Sequence, residues 1–171
     1  MLGFLFRGLT AEPARAVPLF DRLTAESRRP DWYVAGQVPD TLNGRFAVLA
    51  TVTALALVRL EQEGETGNRA SVSLTERFIQ VMESEHRELG LGDPNLGKTV
   101  RKLVAMLGRR NEIWRTNVVD AASLASASRD SLYGGGEVAT DALDASARLI
   151  EDLRASLARA SLADLEQGRI G

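Results

Sequence analysis

Apolar residues recur at three- and four-residue intervals along most of this chain, and no stretch alternates convincingly between apolar and polar positions. That periodicity predicts helices rather than strands. The first runs from about Pro13 to Arg29, with Pro13 early in the helix and Pro30 just past its end. An extended, turn-rich segment is expected from Asp31 to Gly44, where Asp40 or Thr41 can cap a second helix. In that helix Phe46, Leu49, Val52, Leu55, Leu57 and Val58 are apolar around most of the circumference, the pattern of a helix at the centre of a bundle. The stretch Gly64–Asn68 reads as a loop, after which Ser73 and Glu76 have capping-box spacing for a third helix. Leu74, Phe78, Val81, Met82 and Leu89 form its apolar stripe, interrupted by Glu85, and Gly90 or Gly92 is placed to end it. A fourth helix opens near Asn95 and runs to about Asp120, followed by shorter segments at Ala121–Leu132 and Thr140–Ala160.

The expected architecture is therefore an all-α, single-domain bundle of about six helices joined at helix-loop-helix corners. A terminal segment, 1–12, precedes a helical domain over 13–133. The glycine loop Gly134–Gly136 and a C-terminal helical extension occupy 134–171.

Charge sharpens the picture at the fourth helix. At 100° per residue, Val100, Leu103, Val104, Leu107, Trp114 and Val118 cluster on one side. Lys98, Arg101, Lys102 and Arg109 cluster opposite, flanked by Arg110 and Arg115, so this helix carries six basic residues against the single acid Glu112. Such a face is ordinarily just solvated, and its functional reading is docking to an acidic protein, RNA phosphate or anionic lipid. The segment from Glu137 to Glu166 has seven acids and three arginines, so charge is unevenly distributed.

Composition narrows the function classes. The 171 residues suffice for one domain, 44% of them are hydrophobic, and the net charge is −2, so nothing global points to DNA or RNA. There is no cysteine, which excludes disulfides, thiolate metal sites and cysteine nucleophiles. Lys98 and Lys102 are the only lysines among 21 basic residues, a bias that with the alanine content points to a GC-rich bacterial genome. The apolar run Phe4–Phe6 is too short for a signal peptide, and the weakly charged stretch Phe46–Val58 is too short to span a bilayer. The expectation is a cytoplasmic protein, at most peripheral to the inner membrane, with Phe4, Leu5, Phe6 and Arg7 as a candidate membrane-touching terminus.

Two motifs suggest chemistry. Gly92–Thr99 spells G-x-x-x-x-G-K-T, the pattern of a nucleotide-binding loop, which works when a strand feeds a glycine-rich turn whose amides wrap phosphates. Here a charged helical sequence precedes it, no later apolar strand ends in a magnesium-binding aspartate, and Asp93 and Pro94 would sit inside the cradle. The plainer reading is a helix-loop-helix corner. Glu83 and His86 match one Glu-x-x-His unit of a di-iron bundle, but such sites need two units and this chain has one histidine. No cofactor and no metal site is expected.

Read in order, several segments resemble the ubiquinol–cytochrome c chaperone family. They begin with the aromatic pair Trp32-Tyr33 and continue with Val38-Pro-Asp-Thr-Leu-Asn-Gly-Arg-Phe46, similar to the family's V-P-D-T-x-x-G-R-F signature. Arg59-Leu60 follows, and then Arg87-Glu-Leu-Gly-Leu-Gly-Asp-Pro-Asn-Leu-Gly-Lys98 with Val100, Arg101 and Lys102, similar to R-E-x-G-V-G-D-x-x-V-G-K-x-V-K-K. The resemblance covers roughly residues 15 to 133. The chain departs from it at Glu83–His86, where relatives are aspartate-rich, and at Leu107-Gly108-Arg109, where relatives place an aromatic residue first.

The resemblance implies a non-catalytic assembly chaperone with cytochrome b as client in maturation of the respiratory bc1 complex. It further implies work alongside a second assembly factor and near the ribosome. On this reading Lys98, Arg101, Lys102, Arg109 and Arg110 form the partner-binding face. Pro39, Asp40, Thr41, Gly44, Arg45, Phe46, Gly90, Gly92, Asp93 and Gly97 shape the corners that support it. The alternatives are a small nucleotide hydrolase using Gly92–Thr99 and a helical adaptor that oligomerises through a Leu143, Ile150, Leu157 seam.

Overall fold

A computed structural model describes residues 16–88, 96–116 and 120–171. Among them the chain forms eight helices and no strand: α1 (Val17–Ser27), α2 (Asp31–Val34), α3 (Leu42–Glu61), α4 (Gly64–Glu88), α5 (Leu96–Arg115), α6 (Ala121–Tyr133), α7 (Thr140–Arg159) and α8 (Leu162–Glu166). Pro13 lies outside the described residues, and so do Gly90, Gly92 and Asn95, the expected stop and start signals around the α4–α5 corner.

The centre of the bundle is α3, as its all-round apolar sequence predicts. Thirteen of its residues, from Gly44 to Leu60, are buried, and α1, α4, α5, α6 and α7 all pack against it. By length and composition α3 would suffice to cross a membrane, but 67% of its most apolar window is buried inside this fold. The neighbours give up one stripe each. Leu19, Phe20 and Leu23 come from α1, Leu74, Phe78 and Met82 from α4, Leu103, Leu107 and Trp114 from α5, and Leu143, Ile150, Leu153 and Leu157 from α7. The would-be oligomerisation seam Leu143, Ile150 and Leu157 is thus 0–4% exposed and is spent on the chain's own core. That is a correction to the adaptor reading.

Two segments differ from the sequence expectation. The stretch Gly64–Asn68 is the first turn of α4, not a loop, and Ser73 is interior, its hydroxyl donating to the Arg69 carbonyl at 3.2 Å. Gly67 reads as a breaker, yet it is there because a Cβ would stand 1.9 Å from the Leu60 carbonyl oxygen. The turn between α3 and α4 brings backbone against backbone, with Gly64 at φ 64° reversing the chain. In the expected extended segment, Asp31–Val34 instead coils into α2, which buries Trp32 and lets its indole N–H donate to the Glu26 carbonyl at 3.0 Å.

Helix ends follow familiar chemistry. Asp120 and Ser123 form a reciprocal capping box at α6, which stops at Gly134 in the left-handed conformation with φ 63°. Beyond it α7 lies against α6, α3 and α2, and after α8 the buried Ile170 is tied to α1 by the Arg22 guanidinium on its carbonyl.

Candidate functional site

The sequence-predicted residues fall on two features, the corner that leads into α3 and the exposed side of α5. At the corner, Val38 is buried and its amide donates to the Trp32 carbonyl at 3.0 Å. The Pro39 carbonyl accepts the Thr41 amide at 2.8 Å, and the Thr41 hydroxyl in turn accepts the Gly44 amide at 3.2 Å, capping α3. Gly44 is required by space, since a Cβ there would lie 1.8 Å from the Pro39 oxygen. Phe46 points inward and meets Phe78 with ring centroids 5.9 Å apart. Asp40 and Arg45 pair outside at 2.6 Å, and the hydrogen bond from Arg45 holds the Asp40 carboxyl below the usual aspartate value.

The far end of the chain braces this corner. Tyr133, at the end of α6, donates its hydroxyl to the Gly36 carbonyl and lies 2.6 Å from the Ser146 hydroxyl on α7. Burial pushes the Tyr133 phenol above its ordinary value. A Cβ on Gly36 would be 2.4 Å from the Ser146 oxygen, so α7 closes on bare backbone. Gln37 takes a left-handed φ of 50° between these anchors. On this braced surface Val34 and Leu42 stand 76% and 57% exposed. Neither Ser146 nor the exposure of Val34 and Leu42 has a motif in the sequence; each depends on contacts across long separations.

On α5, Gly97, Lys98, Arg101, Lys102 and Arg109 are exposed, and the four cations make no ion pair with a described residue. Lys98 to Arg109 spans about 16 Å along the helix. Arg110 departs from the expected face. It is half-buried, its guanidinium lies 5.9 Å from the Phe46 centroid, and it donates to the Ser131 carbonyl at 3.1 Å and the Met106 carbonyl at 3.2 Å. With carbonyls rather than carboxylates around it, burial pulls its pKa down, with the Arg109 charge adding to the effect. Val104, expected on the apolar side, is 42% exposed.

Arg115 differs again. It donates to both Glu61 oxygens, at 2.9 and 2.7 Å, and pairs with Glu112 at 2.7 Å, while Asn111 reaches Glu61 at 2.8 Å. These bonds fasten the end of α5 to the end of α3. Behind them, the Ser131 hydroxyl accepts the Trp114 indole N–H at 3.2 Å and lies 2.7 Å from the Thr51 hydroxyl, a buried polar knot of α3, α5 and α6.

Gly90, Gly92 and Asp93 lie outside the described residues. The chain up to Glu88 is helical, where a phosphate-binding loop requires an incoming strand. Among the described residues no three His, Cys, Asp or Glu side chains group as a metal site. What the arrangement offers is a rigid corner and a cationic surface, features suited to holding another molecule.

The model of the ubiquinol-cytochrome C chaperone family matches residues 35–170, from the corner through α7 and α8. The match includes the segment beyond Gly136, for which the sequence offered no motif. The crystal structure of the Cbp3 homolog from Brucella abortus is similar, at 28% identity and a TM-score of 0.77 over 100% of this chain and 96% of that one. No curated protein matches the chain. With the corner, the basic helix and the C-terminal helices all inside the matched span, this chain belongs to the ubiquinol-cytochrome C chaperone family.

Proposed function

We propose that this protein is a non-catalytic chaperone that binds cytochrome b during maturation of the bc1 complex, and that the exposed face of α5 is its contact surface. The observation that carries the reading is the family match across residues 35–170, supported by likeness to a Cbp3 homolog along the whole chain. The architecture fits a binding role, because the corner at Val38–Phe46 is held by a cap, a buried valine and the Tyr133 hydroxyl. A client can therefore meet a preformed surface with little ordering cost. The cations Lys98, Arg101, Lys102 and Arg109 supply charge recognition beside it. We place the protein in the cytoplasm.

Deleting the gene tests the reading. Assembled cytochrome b is expected to fall while its transcript persists, and normal bc1 levels in the deletion strain would refute the role. The rival nucleotide hydrolase makes a different demand: saturable binding of magnesium-ATP, lost in Lys98→Ala. The helix that ends at Glu88 argues against it.

A further inference from the structure

We propose that the exposed face of α5 docks on anionic lipid headgroups, seating the protein on a membrane surface. The inference rests on α5 being the working face of the chaperone reading, but not on the identity of the client.

Compensation is the first observation. Arg115 is neutralised by Glu61 and Glu112, and this also occupies Glu112, the single acid of α5. Lys98, Arg101, Lys102 and Arg109 have no such partner among the described residues. Beneath them Arg110 adds a fifth positive charge whose hydrogen bonds go to two carbonyls. The first turn of α5 holds no acid, so the positive end of the helix dipole points the same way. The positive field over the first two-thirds of α5 is therefore unopposed from within the described fold.

Shape is the second. Gly97, Ala105 and Gly108 lie exposed among the cations, and a Cβ on either glycine would meet nothing within 4 Å. No bulky side chain stands between the charges, so four long side chains on one convex helix can reach a common plane. A flat layer of phosphate headgroups meets that geometry. Single-stranded nucleic acid is held instead by grooves with aromatic platforms, and the one aromatic of α5, Trp114, is 4% exposed and bonded to Ser131. Each cation near an anionic bilayer strengthens binding about fivefold, so the four together contribute several-hundred-fold.

The test is co-sedimentation of the full chain with phosphatidylcholine vesicles containing or lacking phosphatidylglycerol. Binding is expected to phosphatidylglycerol vesicles alone and to fade with added salt. Lys98→Gln, Arg101→Gln, Lys102→Gln and Arg109→Gln should each weaken it about fivefold. The quadruple variant should abolish it with an unchanged helical spectrum, while Arg148→Gln on the exposed side of α7 should not alter it. Equal binding to neutral vesicles, or retention by the quadruple variant, would overturn the proposal. So would capture by an RNA homopolymer with no capture by phosphatidylglycerol. Vesicle binding reports only on lipid, whereas cytochrome b levels in the deletion strain report only on the chaperone role, so the two readings fail separately.

Discussion

Replacing Gly44 with alanine tests whether the α3 corner is held as tightly as its geometry indicates. The added methyl would sit 1.8 Å from the Pro39 carbonyl oxygen and 2.9 Å from its carbon, where real Cβ atoms essentially never come within 3.0 Å. Both obstructing atoms are backbone, so no side chain can rotate away and the turn itself must shift by more than an ångström. That shift pulls the Pro39 oxygen from the Thr41 amide and the Thr41 hydroxyl from the Gly44 amide. It also disturbs Val38, which is 1% exposed and whose Cγ1 would lie 3.4 Å from the new methyl. Overpacking costs about 1–3 kcal/mol and a lost cap about 1 kcal/mol, so a net loss of about 3 kcal/mol is expected. For a chain of this size that lowers the melting temperature by about 6–12 °C. Gly108→Ala is the internal control. It places the same methyl in open space inside α5, where the helix preference for alanine raises stability by about 1 kcal/mol, or about 2–4 °C. Thermal melts followed by circular dichroism read both. If Gly44→Ala melts within a degree of the parent, or the two variants shift in the same direction, the steric account of the corner is wrong.

The buried polar knot and the α3–α5 clasp make further demands. Ser131→Ala removes the acceptor of the Trp114 indole N–H, whereas Thr51 keeps its bond to the Ala47 carbonyl, so a loss of about 2 kcal/mol is expected. Thr53 is fully buried and its hydroxyl has no partner, so Thr53→Val should instead stabilise by about 1 kcal/mol. Urea midpoints decide between them, and a Thr53→Val variant weaker than Ser131→Ala would contradict the assignment. Glu61 is held below its ordinary value of 4.5, chiefly by the hydrogen bond from Arg115 and also by Asn111, against a smaller opposing effect of burial. Its contribution is present above that ordinary value and lost as pH falls through the lower folded value. Arg115→Gln should therefore flatten the acid side of the stability profile below pH 4.5, and identical slopes would refute the clasp.

The sequence reveals elements wherever periodicity is strong and local. The all-round apolar run of α3 announces its central position, and Thr41 announces the cap that holds it. It misleads where a residue serves a distant contact. Gly67 looks like a loop residue because its reason, the Leu60 carbonyl, belongs to the neighbouring helix. Trp32 and Tyr33 sit in too short a segment to show a period, yet one indole bond to Glu26 and one phenol bond to Ser27 fix α2 against α1. On a helical wheel Arg110 flanks the basic face, but the Ser131 carbonyl of α6, 21 residues away, turns it inward. The corner's outline was legible in its turn residues. Its bracing by Tyr133 and Ser146 was not, because that depends on how α6 and α7 return across the bundle.

The charge of α5 divides between two tasks, and helix electrostatics explains where the division falls. A cation in the last turn interacts favourably with the helix dipole, and Arg115 sits there with two carboxylates to bind, so its charge secures α5 to α3. Lys98 lies in the first turn, where the dipole opposes a cation and no described acid relieves it. An acidic residue would serve the helix better at that position. Arg101, Lys102 and Arg109 likewise add charge that no contact in the described fold requires. Fold stability therefore accounts for the end of this helix and not for its beginning. In the proposed docking, an anionic surface supplies the missing compensation and converts that unfavourable arrangement into binding energy.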